Sequence, residues 1–335
     1  MIDGNDNLPT YHVLALSGGG YRALYTATIL KEFEQVLGRP IASHFDLICG
    51  TSAGGLLALG LASEIPASDL KSLFEDQGKQ IFGSRDFMRR RLGFLSRAKH
   101  SNEGLRSVLE QRFGNSTLGD LKHRVLIPAV NYTTGRGQFF KTPHHPSFEL
   151  DYRMRLVDVA LATSAAPVYF PSVRNERGVF VDGGLVGNAP GLFGLHEIRT
   201  FLAPNQNVRI RVLAIGTMTV GATVSGGRDL DQGILGWGGS LFDLVISAQE
   251  SSVDYMLTQS LGGCYFKIDD QVTPQQSGDV KALDDVSEAS TNTLRDRGTA
   301  AAQRALGDSK FTPFRSHKPA APTFYHGPNK NSGEL

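Results

Sequence analysis

Residues 45–62 read FDLICGTSAGGLLALGLA. The first five, FDLIC, are apolar but for Asp46 and have the length of a buried strand, and the last ten, Ala53 to Ala62, form the longest stretch of the chain without a polar side chain. Between them lies GTSAG, a match to G-x-S-x-G at 50–54. That pattern is weak alone, but a strand-to-helix junction is where a nucleophile elbow has to sit. The glycines at 50 and 54 let strand and helix approach, and the Ser52 hydroxyl is left exposed at the carboxyl edge of a sheet. The competing local reading is a glycine-rich connection with a helix-capping serine.

Working outward, YHVLAL at 11–16 is a second buried strand and SGGG follows at 17–20. Residues 21–37 carry Leu24, Ala27, Leu30 and Leu37 at helical spacing, stopped by Gly38-Arg39-Pro40. Strand, helix, strand, helix predicts a parallel sheet with crossover helices. Three glycines opening a helix expose backbone N–H groups, a nest for a phosphate or for the oxyanion of a tetrahedral intermediate. Arg22 in the first turn faces the positive end of the helix dipole, which points to a specific partner or to a solvated side chain. Downstream, helices are expected over 67–82, 101–113, 154–163, 240–261 and 283–306. Strands are expected over 124–131, 137–142, 178–182, 207–217 and 264–268. The strand GVFVD ends in Asp182, with Gly183 and Gly184 behind it. A carboxylate at the carboxyl edge of a parallel sheet can serve Ser52 as a base, or simply cap the strand in an Asx turn.

Nest, elbow and strand-terminal carboxylate are parts of one acyl-transfer machine, and together they resemble the patatin-like phospholipases. Gly18, Gly19, Gly20 and Arg22 match that family's G-G-G-x-R. Gly50, Ser52 and Gly54 match its nucleophile motif, and Asp182, Gly183 and Gly184 match its D-G-G/A. SAAPVYFP at 164–171 is similar to its S-x-A-x-P-x-x-F-x-P segment. The motifs occur in family order over residues 10–220, with Ser17 standing where many members have Asp. The resemblance implies an α/β, three-layer sandwich with a mostly parallel central sheet and helices on both faces. It implies a lipid acyl hydrolase of the phospholipase A type that cleaves phospholipid esters through a Ser52–Asp182 dyad. Gly18, Gly19 and Gly20 would form the oxyanion hole, supported by Arg22, Gly50, Gly54, Gly183 and Gly184, with no metal and no cofactor. A soluble carboxylesterase of the same mechanism is the nearest alternative. A triad completed by His196, His317 or His326 is disfavoured, because none of them sits at a strand end with a glycine turn.

The remaining composition narrows the classes. Lys and Arg number 34 against 33 Asp and Glu, so no global field favours a nucleic acid polymer. No stretch approaches the roughly 20 apolar residues of a membrane span, and the first ten residues, MIDGNDNLPT, do not read as a secretory signal. Cys49 and Cys264 are expected to be buried thiols, in keeping with a cytoplasmic enzyme acting at the inner face of the cell membrane. Gly18-x-Gly20-x-x-Ala23 also fits a dinucleotide fingerprint and a non-catalytic binding module, but the next strand ends in Cys49-Gly50 with no acid for a ribose. Residues 85–100 mix six cations with Phe87, Met88, Phe94 and Leu95, which suits either peripheral contact with an anionic membrane or a solvated basic turn.

The chain divides into a catalytic domain at 10–220, an extension at 221–306 packed on the same domain, and a proline-rich tail at 307–335 that is surface-bound or mobile. The apolar face of 240–261, with Leu241, Leu244, Val245, Ala248, Val253, Met256 and Leu257, is expected in the core. The overall resemblance is to the bacterial branch of the family that cyclic nucleotides switch on in antiviral defence. This implies a cyclic dinucleotide activator, with the glycine-rich loop 221–239 and Arg228 as the candidate switch region. Oligomeric state is left open.

Overall fold

The computed structural model describes residues 8–82, 98–218, 240–272, 277–280 and 282–331. Its eight strands are β1 (Thr10–Leu16), β2 (Leu47–Gly50), β3 (Val125–Asn131), β4 (Arg136–Lys141), β5 (Val173–Asn175), β6 (Gly178–Asp182), β7 (Arg209–Ile215) and β8 (Tyr265–Ile268). The helices are α1 (Ala23–Leu37), α2 (Ala53–Ala62), α3 (Ala67–Phe82), α4 (Glu103–Phe113), α5 (Leu156–Thr163), α6 (Gly184–Gly187), α7 (Gly191–Glu197), α8 (Ser240–Leu261), α9 (Ser277–Val280), α10 (Glu288–Gly307) and α11 (Thr312–Ser316).

Side-chain alternation along the central strands sorts the core into two layers. β1 sends Leu14 and Leu16 to one face and Val13 and Ala15 to the other, and all four are buried. β2 does the same with Ile48 against Leu47 and Cys49, and β7 with Leu213 and Ile215 against Ile210 and Val212. Strands buried on both faces read as continuous apolar runs, which is why Leu47 to Cys49 and Val13 to Leu16 show no polar alternation. The larger layer is built from α1 to α5 and α10, the smaller from α7 and α8. This is the expected α/β three-layer sandwich.

The order across the sheet is β5-β6-β3-β2-β1-β7-β8, with β4 also on β3. The pairs β1–β2, β1–β7, β2–β3 and β7–β8 are parallel, and β3–β4, β3–β6 and β5–β6 are antiparallel. One edge of β3 carries β4 from Leu126 to Asn131. Its other edge is shared: Val125 and Leu126 pair with Ile48 and Cys49 of β2, and Ala129, Val130 and Asn131 pair with Asp182, Val181 and Phe180 of β6. β2 and β6 therefore run toward each other along the same edge and stop with only Ile127 and Pro128 between them.

This corrects one expectation. Asp182 was expected at the carboxyl end of a parallel strand, but β6 is antiparallel to β3. It reaches the site because β3 overhangs β2 and β6 descends along that overhang. A second correction concerns α8. Among the described residues Leu241, Leu244, Val245, Ala248 and Met256 are exposed, and of the expected apolar face only Leu257 is fully buried and Val253 partly. The helix is turned so that Ile246, Gln249, Glu250, Val253 and Leu257, spaced by three or four, lie against the fold. The two polar members of that stripe are anchored: Gln249 donates to the Leu185 carbonyl and Glu250 accepts from Asn188. Cys264 differs as well: it is half-buried in a short turn before β8, while Cys49 is fully buried in β2.

The C-terminal segment is held firmly as far as residue 331. Phe311 and Phe314 are buried in the larger core layer, and Phe324 is buried too. His317 Nε2 and the His12 backbone N–H both donate to Asp46 Oδ2, each at 2.7 Å. Asn329 Nδ2 donates to the carbonyls of Asp120 and Leu121 at 2.9 and 3.1 Å. Replacing Phe314 with Ala is expected to cost about 3–5 kcal/mol, as for other buried Phe truncations. Urea unfolding would read this as a lower midpoint, whereas a midpoint equal to that of the parent protein would mean that the segment contributes nothing to the core.

Candidate active site

Ser52 has φ 54° and ψ −127°, a backbone that a non-glycine residue adopts only when its surroundings force it. Those surroundings are visible. The Ser52 N–H donates to Thr163 Oγ1 at 3.0 Å, and the Thr163 hydroxyl donates to the Pro128 carbonyl at 2.6 Å. Thr51 N–H donates to Leu16 O at 3.1 Å, and its hydroxyl to Gly187 O at 2.8 Å. The elbow is tightest at Gly54, where a Cβ would lie 2.4 Å from Leu16 O and 2.5 Å from Ser17 O. Gly50 faces Gly54 across the same turn.

The geometry brings Ser52 and Asp182 into contact. Ser52 Oγ donates to Asp182 Oδ2 at 2.7 Å, and Gly184 N–H donates to Oδ1 at 2.6 Å. Gly183 N–H donates to Thr163 O, so both sides of the pair hang on the end of α5. Asp182 is buried, and burial pushes its carboxyl up from 3.8 to about 6 against the opposing pull of the Gly184 and Ser52 hydrogen bonds. Ser52 itself is half-buried. The three histidines weighed as triad members are engaged elsewhere: His196 with Thr200, His317 with Asp46 and His326 with the Pro146 carbonyl.

The glycine nest sits beside this pair, but its three members differ. Gly18 N–H is already donated to Asn188 O at 3.2 Å, so Gly18 is not an oxyanion donor. Its carbonyl accepts from Asn188 Nδ2 and from Thr217 Oγ1, which fixes the loop. A Cβ there would meet Ser52 Cβ at 3.0 Å, so the residue serves close approach to the nucleophile. Gly19 and Gly20 N–H have no protein acceptor among the described residues. Gly20 lies at φ +57° with the Leu283 carbonyl against it, and Tyr21 N–H donates to that same carbonyl at 2.7 Å. Arg22 turns inward under the nest, where one guanidinium nitrogen donates to Met218 O at 3.3 Å. Burial lowers its pKa, with Glu250, Asp269 and Asp243 as the nearest opposing charges. Glu250 accepts from Asn188 Nδ2 at 2.7 Å, which ties α8 to the nest.

Thr163, Asn188, Thr217, Leu283 and Glu250 escaped the sequence reading. Thr163 precedes the SAAPVYFP segment and Asn188 follows the Asp182 glycines by four residues, so proximity to known motifs was the available signal. Nothing local marks Leu283, which acts through its backbone carbonyl. Among the described residues, no group of three or more His, Cys, Asp or Glu is placed to hold a metal ion.

The site thus places a strained serine at a strand–helix elbow, bonded to a buried aspartate beside a glycine nest. The model of the family described as patatin-like phospholipase matches residues 14–191. The chain belongs to the patatin-like phospholipase family. It is 73% identical over 327 residues to a cGAMP-activated phospholipase of Pseudomonas aeruginosa, covering 98% of each chain. It is 35% identical to a cGAMP-activated phospholipase of Vibrio cholerae, covering 91% of this chain and 96% of the other. A cGAMP-activated phospholipase of Escherichia coli is 43% identical over 223 residues, 63% of each chain. This patatin-like protein is therefore an esterase-type hydrolase acting on lipids, and the reading as a non-catalytic dinucleotide module falls. Among the described residues, no helix is long and apolar enough to cross a membrane.

The raised Asp182 pKa has a consequence for stability. A carboxyl whose pKa is higher folded than unfolded favours the fold when protonated, and this contribution is lost as pH rises through the folded value. Above pH 6 the ionised Asp182 is thus a burden of up to about 3 kcal/mol for a shift of roughly two units. Asp182→Asn should leave the melting temperature equal or higher at pH 7.5, with the gain shrinking as pH falls from 6 to 4. Scanning calorimetry across that window checks the sign, and a lower melting temperature at pH 7.5 would contradict it.

Proposed function

We propose that the chain is a phospholipase A-type enzyme in which Ser52 is the nucleophile and Asp182 the general base, switched on by a cyclic dinucleotide. The observation that carries the dyad is the 2.7 Å hydrogen bond from Ser52 Oγ to a carboxylate with no histidine between them. Asp182 takes the Ser52 proton as Oγ attacks the ester carbonyl of a phospholipid. An ordinary aspartate is a poor base for a hydroxyl, but one held near 6 is both stronger and still ionised at neutral pH. The N–H groups of Gly19 and Gly20 receive the oxyanion. The intermediate collapses, Asp182 returns its proton to the leaving alcohol, and the acyl group stays on Ser52. Water then attacks the acyl-enzyme with Asp182 accepting its proton, and the second intermediate expels Ser52 Oγ, which takes that proton back as the fatty acid leaves.

Activation is supported by the three relatives, each a cGAMP-activated phospholipase. In this reading residues 10–220 form the catalytic part, 221–306 carry the regulatory part and 307–335 close the fold. The enzyme works in the cytoplasm on the inner face of the membrane, in antiviral defence. A latent state protects the host cell's own lipids. The glycine-rich loop 221–239 with Arg228, and the basic segment 85–100 up to residue 97, lie outside the described residues, so their roles rest on sequence.

Two assays test this reading. With cGAMP and phospholipid vesicles, Ser52→Ala and Asp182→Asn should each lower kcat by a factor of roughly 1000 or more, as loss of a nucleophile or base does. For the parent enzyme, kcat/KM should fall about tenfold per pH unit below about 6, because only ionised Asp182 accepts the proton. Unchanged turnover in either variant overturns the dyad. Charge reversal at Arg89, Arg90 and Arg91 should weaken binding to anionic vesicles while sparing hydrolysis of a soluble short-chain ester. Equal loss on both substrates would make the segment structural instead.

A further inference from the structure

Leu283 and Asp284 are the middle residues of the turn Ala282–Asp285, which the Asp285 N–H closes on the Ala282 carbonyl. The Leu283 carbonyl lies on the nest. It accepts from Tyr21 N–H at 2.7 Å, and a Cβ on Gly20 would meet it at 2.2 Å. The Asp284 side chain is buried and takes no part in the dyad. His100 Nε2 lies 2.8 Å from its Oδ2, and Lys99 Nζ pairs with the same oxygen at 2.5 Å. Burial alone would raise the Asp284 pKa, but the His100 and Lys99 contacts outweigh it and bring it down to about 2. An ionised carboxylate only accepts, so His100 Nε2 carries the hydrogen of that bond.

The partners of Asp284 are themselves held. The His100 ring is fully buried, its centroid 5.4 Å from that of Phe170 and 6.3 Å from that of Phe82. Lys99 N–H donates to Val168 O and His100 N–H to Tyr169 O, each at 2.8 Å. Val168 has φ 73°, which a β-branched residue adopts only when its neighbours impose it. The same segment supplies the Ala165 carbonyl that accepts Asp182 N–H at 3.0 Å. Asp182 and the nest are thus joined a second time, through residues 165–169, Lys99, His100 and the Asp284 turn.

We propose that Asp284 is a positioning residue for the oxyanion nest, clamped by His100 and Lys99 so that the Leu283 carbonyl stays on Gly20 and Tyr21. The inference rests on the reading of Gly19 and Gly20 as oxyanion donors. Such donors lower a barrier only if they are aimed before the charge develops. Gly20 is hard to aim, since glycine takes either sign of φ about equally readily. The bond from Tyr21 N–H to Leu283 O fixes the peptide that follows Gly20, and so holds Gly20 at φ +57°.

Stability alone does not account for this cluster. A buried ion pair gains little over apolar side chains of the same volume. Here Asp284 Oδ1 and His100 Nδ1 are also buried without a hydrogen-bond partner among the described residues, which adds to the cost. What the pair supplies is direction: an apolar side chain at 284 would fill the space without fixing the turn by hydrogen bonds. Tyr21 has a second pin in the same neighbourhood, since its hydroxyl lies 2.8 Å from Thr291 Oγ1 on α10.

Kinetics of the full chain on phospholipid vesicles at saturating cGAMP test the clamp, with active sites counted by exhaustive fluorophosphonate labelling of Ser52. Asp284→Ala should lower kcat per labelled site roughly tenfold or more, a part of the roughly hundredfold or greater cost of losing an oxyanion donor outright. KM should stay within about twofold. The Ki of a long-chain trifluoromethyl ketone should rise by the same factor as kcat falls. Ser52 Oγ adds to the ketone carbon, Asp182 takes the hydroxyl proton and the alkoxide occupies the nest, so this inhibitor reads the cradle directly. Asp284→Asn keeps an acceptor for His100 and should restore most of both values. If Asp284→Ala fails to fold, His100→Phe with Asp284→Leu replaces the buried pair by apolar side chains. Its melting temperature should stay near that of the parent while kcat remains low. Phe314→Ala, which weakens the core beside His12 and Phe45, should keep the parent kcat per labelled site. Parent-like kcat and Ki in the Asp284→Ala or the Phe/Leu variant would overturn the clamp, and so would a fall in kcat that Ki does not follow. A parent enzyme that is neither labelled at Ser52 nor inhibited by the ketone would instead defeat the dyad reading itself.

Discussion

A carboxylate buried against a serine hydroxyl is the constraint around which this molecule is arranged. In the proposed mechanism Asp182 must be dry enough to become a useful base, yet each hydrogen bond that keeps it ionised also weakens it. The structure balances these with two donors, Ser52 Oγ and Gly184 N–H, and no formal positive charge in contact. Burial wins, and the carboxyl titrates near 6. A cation at hydrogen-bond distance would have reversed that result.

The sheet supplies the meeting point. Cys49 pairs with Leu126 and Asp182 with Ala129 on the same edge of β3, three positions apart, or about 10 Å at the rise of a strand. Two strands approaching head-on leave a short gap in the ladder, and the elbow closes it from one side while the Asp182 side chain closes it from the other. Pro128, which has no N–H to leave unpaired, lies in that gap, and its carbonyl takes the Thr163 hydroxyl. Few sheet topologies could bring a serine and an aspartate 130 residues apart into direct contact with so little loop.

Much of this was legible in the sequence because it is written in glycine. GTSAG, GGG and DGG mark places where backbones come too close for a Cβ, and such places are local, so a linear reading finds them. The direction of β6 was not legible, since GVFVD fits a parallel or an antiparallel neighbour equally well. The rotation of α8 was missed for a related reason. Apolar periodicity pointed to Leu241, Leu244 and Val245, whereas the bond that Gln249 donates to the Leu185 carbonyl and the one that Glu250 accepts from Asn188 hold a different face inward. Gly18 had every mark of an oxyanion donor until Asn188, 170 positions away, claimed its N–H.

The Leu283 carbonyl that meets Gly20 and Tyr21 has a temporal implication. Chains emerge from the ribosome amino end first, and domains fold as their parts become available. Ser52 and Asp182 both lie within the first 220 residues, whereas the carbonyl that shapes the nest is still some 60 residues from synthesis when those are complete. In the proposed mechanism a half-made enzyme therefore carries its nucleophile without a finished cradle for the charge it would create, and the order of translation holds back lipid cleavage until the segment beyond the catalytic motifs is in place.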